Sequence, residues 1–126
     1  MDKLFVYGTL RPGSNNQYAQ HLAKAARHVG PSTTGGRLYR VAHYPALVSS
    51  QSKEDRVTGD LFDGITDQLW QLLDNYEGPE YSRELADVIT EGGNDTQAYV
   101  YRYLLPSDLL EWIRSGDWNH PDRQSL

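Results

Sequence analysis

Residues 5–11 read FVYGTLR, a short apolar strand that runs directly into a glycine. A glycine just after a strand lets the backbone adopt φ > 0, so that successive N–H groups can point into one concavity and bind an anion. Tyr7, Gly8, Thr9 and Leu10 are the residues that would form such an anion cradle. A tight turn after a strand needs a glycine equally, so position alone leaves both interpretations open.

A second stretch, LLDNYEGPEY at residues 72–81, ends a predicted helix with one carboxylate, Glu77. Apolar residues recur at helical spacing from Leu69 to Tyr76, which places Glu77 at the edge of the apolar stripe. Partial burial and the negative end of the helix dipole both raise the pKa of a carboxyl, toward the range of a general base at neutral pH. The alternative is a surface glutamate in a helix-ending turn.

Length and composition limit the class of protein. The 126 residues suit one domain, predicted over residues 1–118 and followed by a polar tail at 119–126. The absence of cysteine excludes disulfides, zinc thiolate sites and a cysteine nucleophile. A net charge of −5 without a long basic run argues against nucleic acid or an anionic membrane surface as a partner.

The sequence shows neither targeting and membrane-spanning segments nor the residue spacing of a metal site. The opening MDKLFVYGTL has too short an apolar run for a signal peptide, and no later run is long enough to span a bilayer. We therefore expect a cytoplasmic protein, while its oligomeric state stays open. The four histidines and the scattered acids have no metal-ligand spacing, so no metal or other cofactor is predicted.

Periodicity and turn signals predict an α+β fold. Strands are expected at 4–7, 37–41, 46–48, 56–62, 82–90 and 97–104. Helices are expected at 17–28, from a Thr66 cap to Gly78, and at 107–114. Most links between strands are too short for parallel crossovers, which favours a small, mainly antiparallel β-barrel with two or three flanking helices.

Four motifs come in order along the chain: FVYGTLR at 5–11, VTGDLF at 57–62, LDNYEGPEYSR at 73–83 and AYVYRY at 98–103. Together they resemble the γ-glutamylcyclotransferase-like family, in its small branch of γ-glutamylamine cyclotransferases and AIG2-like proteins. The resemblance covers residues 3–118. It implies a small barrel with a pocket at one mouth and Glu77 as the catalytic base. It also implies that the YGTL turn holds the glutamyl part of the substrate through backbone contacts.

Three further side chains extend the predicted substrate site. Arg11 is placed to reach a substrate carboxylate, although an arginine after a turn is more often solvated or in a salt bridge. Tyr81 and Arg83 share one face of a strand by alternation. An arginine on a partly buried face needs a partner, which the substrate, Glu77 or another acid such as Asp87 would supply.

The function that follows is an enzyme acting on a small-molecule γ-glutamyl substrate. It would cyclise the γ-glutamyl part of an amine or amide to 5-oxoproline and release the free amine, with Glu77 as general acid and base. Two alternatives remain open. One is a non-catalytic pocket for a γ-glutamyl or other amino-acid ligand, and the other is a metal-free hydrolase that releases glutamate.

Overall fold

A computed structural model describes residues 2–120 of the protein. This part of the chain forms the following strands and helices: β1 (Asp2–Val6), α1 (Gln17–Ala25), β2 (Arg27–Gly35), β3 (Arg37–Val41), β4 (Tyr44–Val48), β5 (Arg56–Ile65), α2 (Asp67–Glu77), β6 (Tyr81–Thr90), β7 (Asp95–Tyr103) and β8 (Glu111–Ile113). Of the predicted polar tail at 119–126, residues 121–126 lie outside the described residues.

Five strands close into a barrel in the order β1-β5-β2-β6-β7, and β7 pairs back to β1. The closing pair is parallel, through Leu4 and Tyr99, whereas the other pairs of the barrel are antiparallel. From β7 the sheet continues through β4 and β3 to β8. The predicted α+β class, with a small and mainly antiparallel barrel and flanking helices, is confirmed.

From Leu4 to Val6, strand β1 is buried on both faces, which explains the apolar run at these three positions. Leu4 and Val6 pack with residues of α1 and α2, including Leu22 and Leu73. Phe5 belongs to the second core cluster, which β3, β4 and β8 help to build. The end of β1 is therefore held from both sides, and the YGTL turn that follows it begins from a rigid strand.

Helix α2 follows the capping signals of its sequence. The Thr66 hydroxyl accepts a hydrogen bond from the Leu69 N–H at 3.2 Å, and Asp67 lies in the first turn. The helix ends at Glu77, because Gly78 adopts φ 81°, a conformation that side chains disfavour. Glu77 is thus the last helical residue, as predicted.

The predicted helix at 17–28 is too long, and a strand was missed. Helix α1 ends at Ala25, and Arg27–Gly35 forms β2, which pairs with both β5 and β6. A glycine such as Gly30 normally favours an interruption of regular structure. In the structure it has φ 145° and lies where the pairing register with β5 shifts. The glycine accommodates a bulge within a strand, and the two long-range pairings outweigh the local signal.

The predicted helix at 107–114 is wrong. Strand β8, Glu111–Ile113, pairs with β3 instead. Ser107 forms only a turn, in which its carbonyl accepts the Leu110 N–H at 3.0 Å. Ile113 is buried in the core, and the guanidinium of Arg37 lies 3.9 Å from the centre of the Trp112 ring. These tertiary contacts outweigh a short local helix signal.

Candidate active site

A cavity of about 290 Å³ lies where the end of β1, the YGTL turn, the β3–β4 hairpin and the end of α2 meet. Its volume is close to the lower end of small-molecule sites, about 300 Å³. Six of the predicted site residues line it: Tyr7, Gly8, Thr9, Leu10, Glu77 and Tyr81. Sequence reasoning did not assign to the site a further group of lining residues: Phe5, Val6, Val41, Tyr44, Pro45, Tyr76, Pro79, Glu80 and Tyr101.

Glu77 presents an isolated carboxylate to this cavity. Among residues 2–120, its side chain has no hydrogen-bond or salt-bridge partner within reach. Burial raises the pKa of Glu77 from its ordinary value of 4.5 to about 7. A carboxyl with this pKa is present in both protonation states near neutral pH, so it can accept a proton and return it.

Gly8 is needed for a reason other than the predicted one. Its φ is not positive, so the expectation of a left-handed conformation at this residue is wrong. Instead, a Cβ atom on Gly8 would lie 2.1 Å from Cγ of Pro45 in β4. Only glycine allows the turn and β4 to approach this closely, and this approach forms one wall of the cavity.

Three backbone N–H groups of the YGTL turn have no acceptor among residues 2–120. The Arg11 N–H donates to the Gly8 carbonyl at 3.0 Å and closes the turn. The three N–H groups are those of Gly8, Thr9 and Leu10. Three consecutive residues that line a cavity and carry unpaired N–H groups match the composition of an anion cradle.

Two tyrosine hydroxyls brace the walls. The Tyr7 hydroxyl donates to the carbonyl of Tyr101 at 2.5 Å and accepts the Leu47 N–H at 3.3 Å. The Tyr81 hydroxyl donates to the carbonyl of Pro45 at 2.7 Å. Burial, followed by the proximity of the Glu77 carboxylate, raises the pKa of both phenols above the ordinary value. Both therefore remain protonated and act as cross-links between strands.

A third tyrosine connects the helix to the turn. The Tyr76 hydroxyl lies 2.7 Å from Oγ1 of Thr9 and accepts a hydrogen bond of 2.7 Å from Nδ2 of Asn16. Its ring stacks on Tyr18 of α1, with ring centres 4.4 Å apart. Sequence analysis placed Tyr76 only on the apolar stripe of α2. A leucine would pack equally well on this stripe, so the tyrosine hydroxyl was the sequence feature that could have indicated hydrogen bonding at this position.

Arg11 does not reach the cavity. Its Nε lies 2.8 Å from Oδ2 of Asp60 and its Nη1 lies 2.9 Å from Oδ1 of Asp117. Nε2 of His28 lies 3.0 Å from the other oxygen of Asp60. Arg11 therefore forms salt bridges, the alternative that the sequence left open, and these connect the end of the turn to β5 and to the segment after β8.

Arg83 also lies outside the cavity, and its partner is neither Glu77 nor Asp87. It forms a bidentate pair with Asp74 of α2, at 3.1 and 3.2 Å. Its guanidinium lies 4.3 Å from the centre of the Trp70 ring. Asp74 also accepts a hydrogen bond of 2.6 Å from the hydroxyl of Tyr101, so this cluster supports the cavity wall from behind.

Within residues 2–120, no group of three or more histidine, aspartate or glutamate side chains is placed to hold a metal ion. Nor does any helix in this range combine the length and the apolar character needed to cross a membrane.

Comparison with known proteins gives consistent matches over nearly the whole chain. Residues 4–120 match the family described as "Gamma-glutamyl cyclotransferase, AIG2-like". The gamma-glutamylcyclotransferase family protein YtfP of Escherichia coli (strain K12) is 33% identical over an alignment of 124 positions that covers 96% of this chain and 99% of that protein. The gamma-L-glutamyl-butirosin B gamma-glutamyl cyclotransferase of Niallia circulans is 31% identical over an alignment of 125 positions that covers 94% of this chain and 76% of that enzyme. An AIG2-like protein from mouse has the same fold, with a TM-score of 0.78 at 24% identity over 100% of this chain and 93% of that one.

Proposed function

Because this chain belongs to the AIG2-like gamma-glutamyl cyclotransferase family, we propose that it converts the γ-glutamyl part of a γ-glutamyl amine or amide to 5-oxoproline and releases the free amine. The observation that carries the proposal is the environment of the Glu77 carboxyl. Its carboxyl is isolated in a small cavity, and burial brings its pKa to about 7. A group with this pKa suits a reaction that takes up one proton and gives one back.

The reaction needs no second reactant. The α-amine of the glutamyl group attacks its own γ-carbonyl carbon, a C–N bond closes the five-membered ring, and the original amide C–N bond breaks. Glu77 takes one proton from the α-ammonium before the attack and returns it to the departing nitrogen as the amide bond breaks. The ring nitrogen then loses its second proton to become the lactam N–H, and Glu77 passes this proton to the released amine, which leaves as an ammonium. Since nucleophile and carbonyl belong to one molecule, the enzyme mainly has to hold the folded conformer, and a small enclosed cavity suits this task.

The YGTL turn supplies the remaining contacts in this proposal. The unpaired N–H groups of Gly8, Thr9 and Leu10 hold the substrate α-carboxylate or the oxyanion that develops on the amide oxygen. The rings of Tyr7 and Tyr81 enclose the glutamyl chain.

Arg11 and Arg83 support the walls from outside through their own salt bridges. We also propose that residues 1–118 act as one domain and residues 119–126 as a polar tail.

A glutaryl amide tests cyclisation, because it keeps the scissile bond and one carboxylate but has no α-amine. We expect 5-oxoproline and free amine from the γ-glutamyl parent, and binding without amine release from the glutaryl analogue. Chromatography of both products and calorimetric titration of the analogue measure these outcomes. Amine release from the analogue at the parental rate would identify a hydrolase, and binding of the parent without turnover would identify a binding protein.

A further inference from the structure

A chain of three polar side chains runs from the start of α1 to the cavity. Nδ2 of Asn16 lies 2.7 Å from the Tyr76 hydroxyl, which in turn lies 2.7 Å from Oγ1 of Thr9. Asn16 is the cap residue of α1, Tyr76 belongs to α2, and Thr9 belongs to the YGTL turn. Tyr76 and Thr9 both line the cavity. The three side chains therefore connect both helices with this turn.

The amide of Asn16 sets the direction of these hydrogen bonds. Its Oδ1 accepts the N–H groups of Tyr18 and Ala19 at 2.8 and 3.1 Å, so its Nδ2 is the atom that faces Tyr76. An amide nitrogen donates and does not accept, so the Tyr76 hydroxyl oxygen is the acceptor in this contact. The orientation of the Asn16 amide is thus decided by the cap of α1.

The Tyr76 hydroxyl donates its own hydrogen to Thr9. A hydroxyl carries one hydrogen, and Oγ1 of Thr9 is the other polar atom within hydrogen-bond distance of this oxygen among residues 2–120. The Thr9 hydroxyl therefore accepts from Tyr76, and its own hydrogen has no acceptor among the described residues. Because Thr9 lines the cavity, this hydrogen is available to a bound ligand.

We propose that Asn16 and Tyr76 are positioning residues, which orient the Thr9 hydroxyl as a hydrogen-bond donor to the α-carboxylate of the substrate. This inference rests on the proposed function and adds a side-chain contact to the backbone N–H groups of the turn. An ionised carboxylate accepts hydrogen bonds and cannot donate them, so it matches a hydroxyl whose direction is fixed in this way. The α-ammonium beside that carboxylate meets Glu77, the next residue of α2 after Tyr76.

Asn16→Asp tests the direction of the chain. A carboxylate caps a helix about as well as an amide, but it cannot donate to Tyr76. The Tyr76 hydroxyl then donates to the new carboxylate, and the Thr9 hydroxyl donates to Tyr76 instead of to the ligand. A glutaryl amide keeps the α-carboxylate but lacks the α-amine, and its Kd from calorimetric titration should rise about 10-fold. Asn15→Asp adds the same charge at an exposed neighbour that does not line the cavity, and should keep the wild-type Kd.

Substitutions of Thr9 show whether this effect passes through its hydroxyl. Thr9→Val keeps the shape of the side chain and should raise the Kd of the glutaryl amide about 10-fold, whereas Thr9→Ser should stay within about 2-fold of the wild type. In Thr9→Val protein, Asn16→Asp should have no further effect, because the hydroxyl that it reorients is absent. A merely structural role would instead lower Tm without this dependence of one substitution on the other.

A second pair of ligands identifies the group that the hydroxyl contacts. A 4-aminobutanamide with the same amine half keeps the attacking amine and the scissile bond of the γ-glutamyl amide but lacks its α-carboxylate. In Thr9→Val protein, kcat/KM for the γ-glutamyl amide should fall about 10-fold, mainly through KM. The kcat/KM for cyclisation of the 4-aminobutanamide should not change.

The inference would be overturned, with cyclisation left intact, by an unchanged Kd in Asn16→Asp or Thr9→Val protein, or by equal losses of kcat/KM for the two amides. An Asn16→Asp effect that persists in Thr9→Val protein would assign the loss to charge repulsion and would also overturn it. If the γ-glutamyl amide yields no 5-oxoproline, the proposed function fails, and the Kd values of the glutaryl amide alone decide whether the Thr9 hydroxyl binds a carboxylate.

Discussion

Two acidic regions flank the YGTL turn, and they differ in how their charges are compensated. On one side, Asp60 and Asp117 are each only 6% exposed, yet both are paired with Arg11, and Asp60 also contacts His28. On the other side, Glu77 lies at the cavity with no cation among its described neighbours. The salt bridges of Arg11 connect the YGTL turn with β5 and with the segment after β8, whereas the Glu77 carboxylate forms no such connection among the described residues.

Paired carboxylates suit a structural role, whereas an unpaired buried carboxyl suits proton transfer. A buried charge that is paired and hydrogen-bonded can serve as a fixed structural link, and it becomes costly only when its partner is removed. A carboxyl that is desolvated without a partner holds its proton more strongly, so its pKa moves toward neutrality. The same residue class therefore supports the turn on one side and offers proton transfer on the other. Three predictions test this division, with two substitutions and a matched control for each of the first two predictions.

The largest effect is expected for removal of the unpaired carboxylate. Glu77→Gln keeps size and polarity but cannot exchange a proton, so kcat for 5-oxoproline formation should fall by about 10²- to 10⁴-fold. Glu84→Gln makes the same change in a residue that is paired with Arg102 at 3.0 Å and does not line the cavity. It should retain wild-type turnover. A folded Glu77→Gln protein with near-native kcat would contradict the role of this carboxyl.

A smaller effect is expected for removal of the cation from the paired region. Arg11→Met should lower the free energy of unfolding by about 3–4 kcal/mol, because it removes the shared arginine from two buried carboxylates and leaves Asp60 with only His28 as a partner. Arg83→Met is the matched control, because its pair with Asp74 is more exposed, with side chains 30% and 42% accessible, and should cost about 1 kcal/mol or less. Urea unfolding at pH 7 measures both. Equal losses would mean that burial does not distinguish the two pairs.

The smallest effect is a pH-dependent gain in stability. The pKa of Glu77 is raised from 4.5 to about 7 in the folded state, so the folded protein binds more protons than the unfolded chain between these values. Wild-type stability therefore falls as pH rises through this window. Glu77→Gln escapes that loss and should be about 2–3 kcal/mol more stable than the wild type at pH 8.5.

At pH 4 the two proteins should be nearly equal, because the carboxyl is then protonated in both states. A stability difference between them that does not change from pH 4 to pH 8.5 would show that the pKa of Glu77 is not raised by folding.

The elements that the sequence predicted well carry their signals within a few residues. Helix α2 has a cap at Thr66 and a stop at Gly78, and β6 and β7 flank a glycine-rich turn. The missed strands β2 and β8 form through partners elsewhere in the chain: β2 pairs with β5 and β6, and β8 pairs with β3. Local propensity contains no information about such long-range pairing. It therefore predicted a helix at 17–28 that extends too far and a short helix at 107–114.

The candidate site divides in the same way. The YGTL turn, Glu77 and Tyr81 were selected from motifs, and the structure brings them to one cavity. The two arginines of the same motifs were expected there and lie elsewhere. Arg11 forms salt bridges with Asp60, which is 49 positions away in the sequence, and with Asp117, which is 106 positions away. No local sequence pattern near Arg11 predicts either contact.

The end of a helix at Glu77 and the glycine after the first strand can be derived from the sequence alone, because caps, stops and apolar periodicity act over a few residues. The requirement for glycine at Gly8 follows from the folded molecule, since Pro45 of β4 packs directly against it and the two residues together form one wall of the cavity. The fold also sets which carboxylates are paired. The pKa of Glu77 depends on the water that the surrounding elements exclude, and desolvation is a property of the assembled environment, not of the residue or its neighbours in sequence.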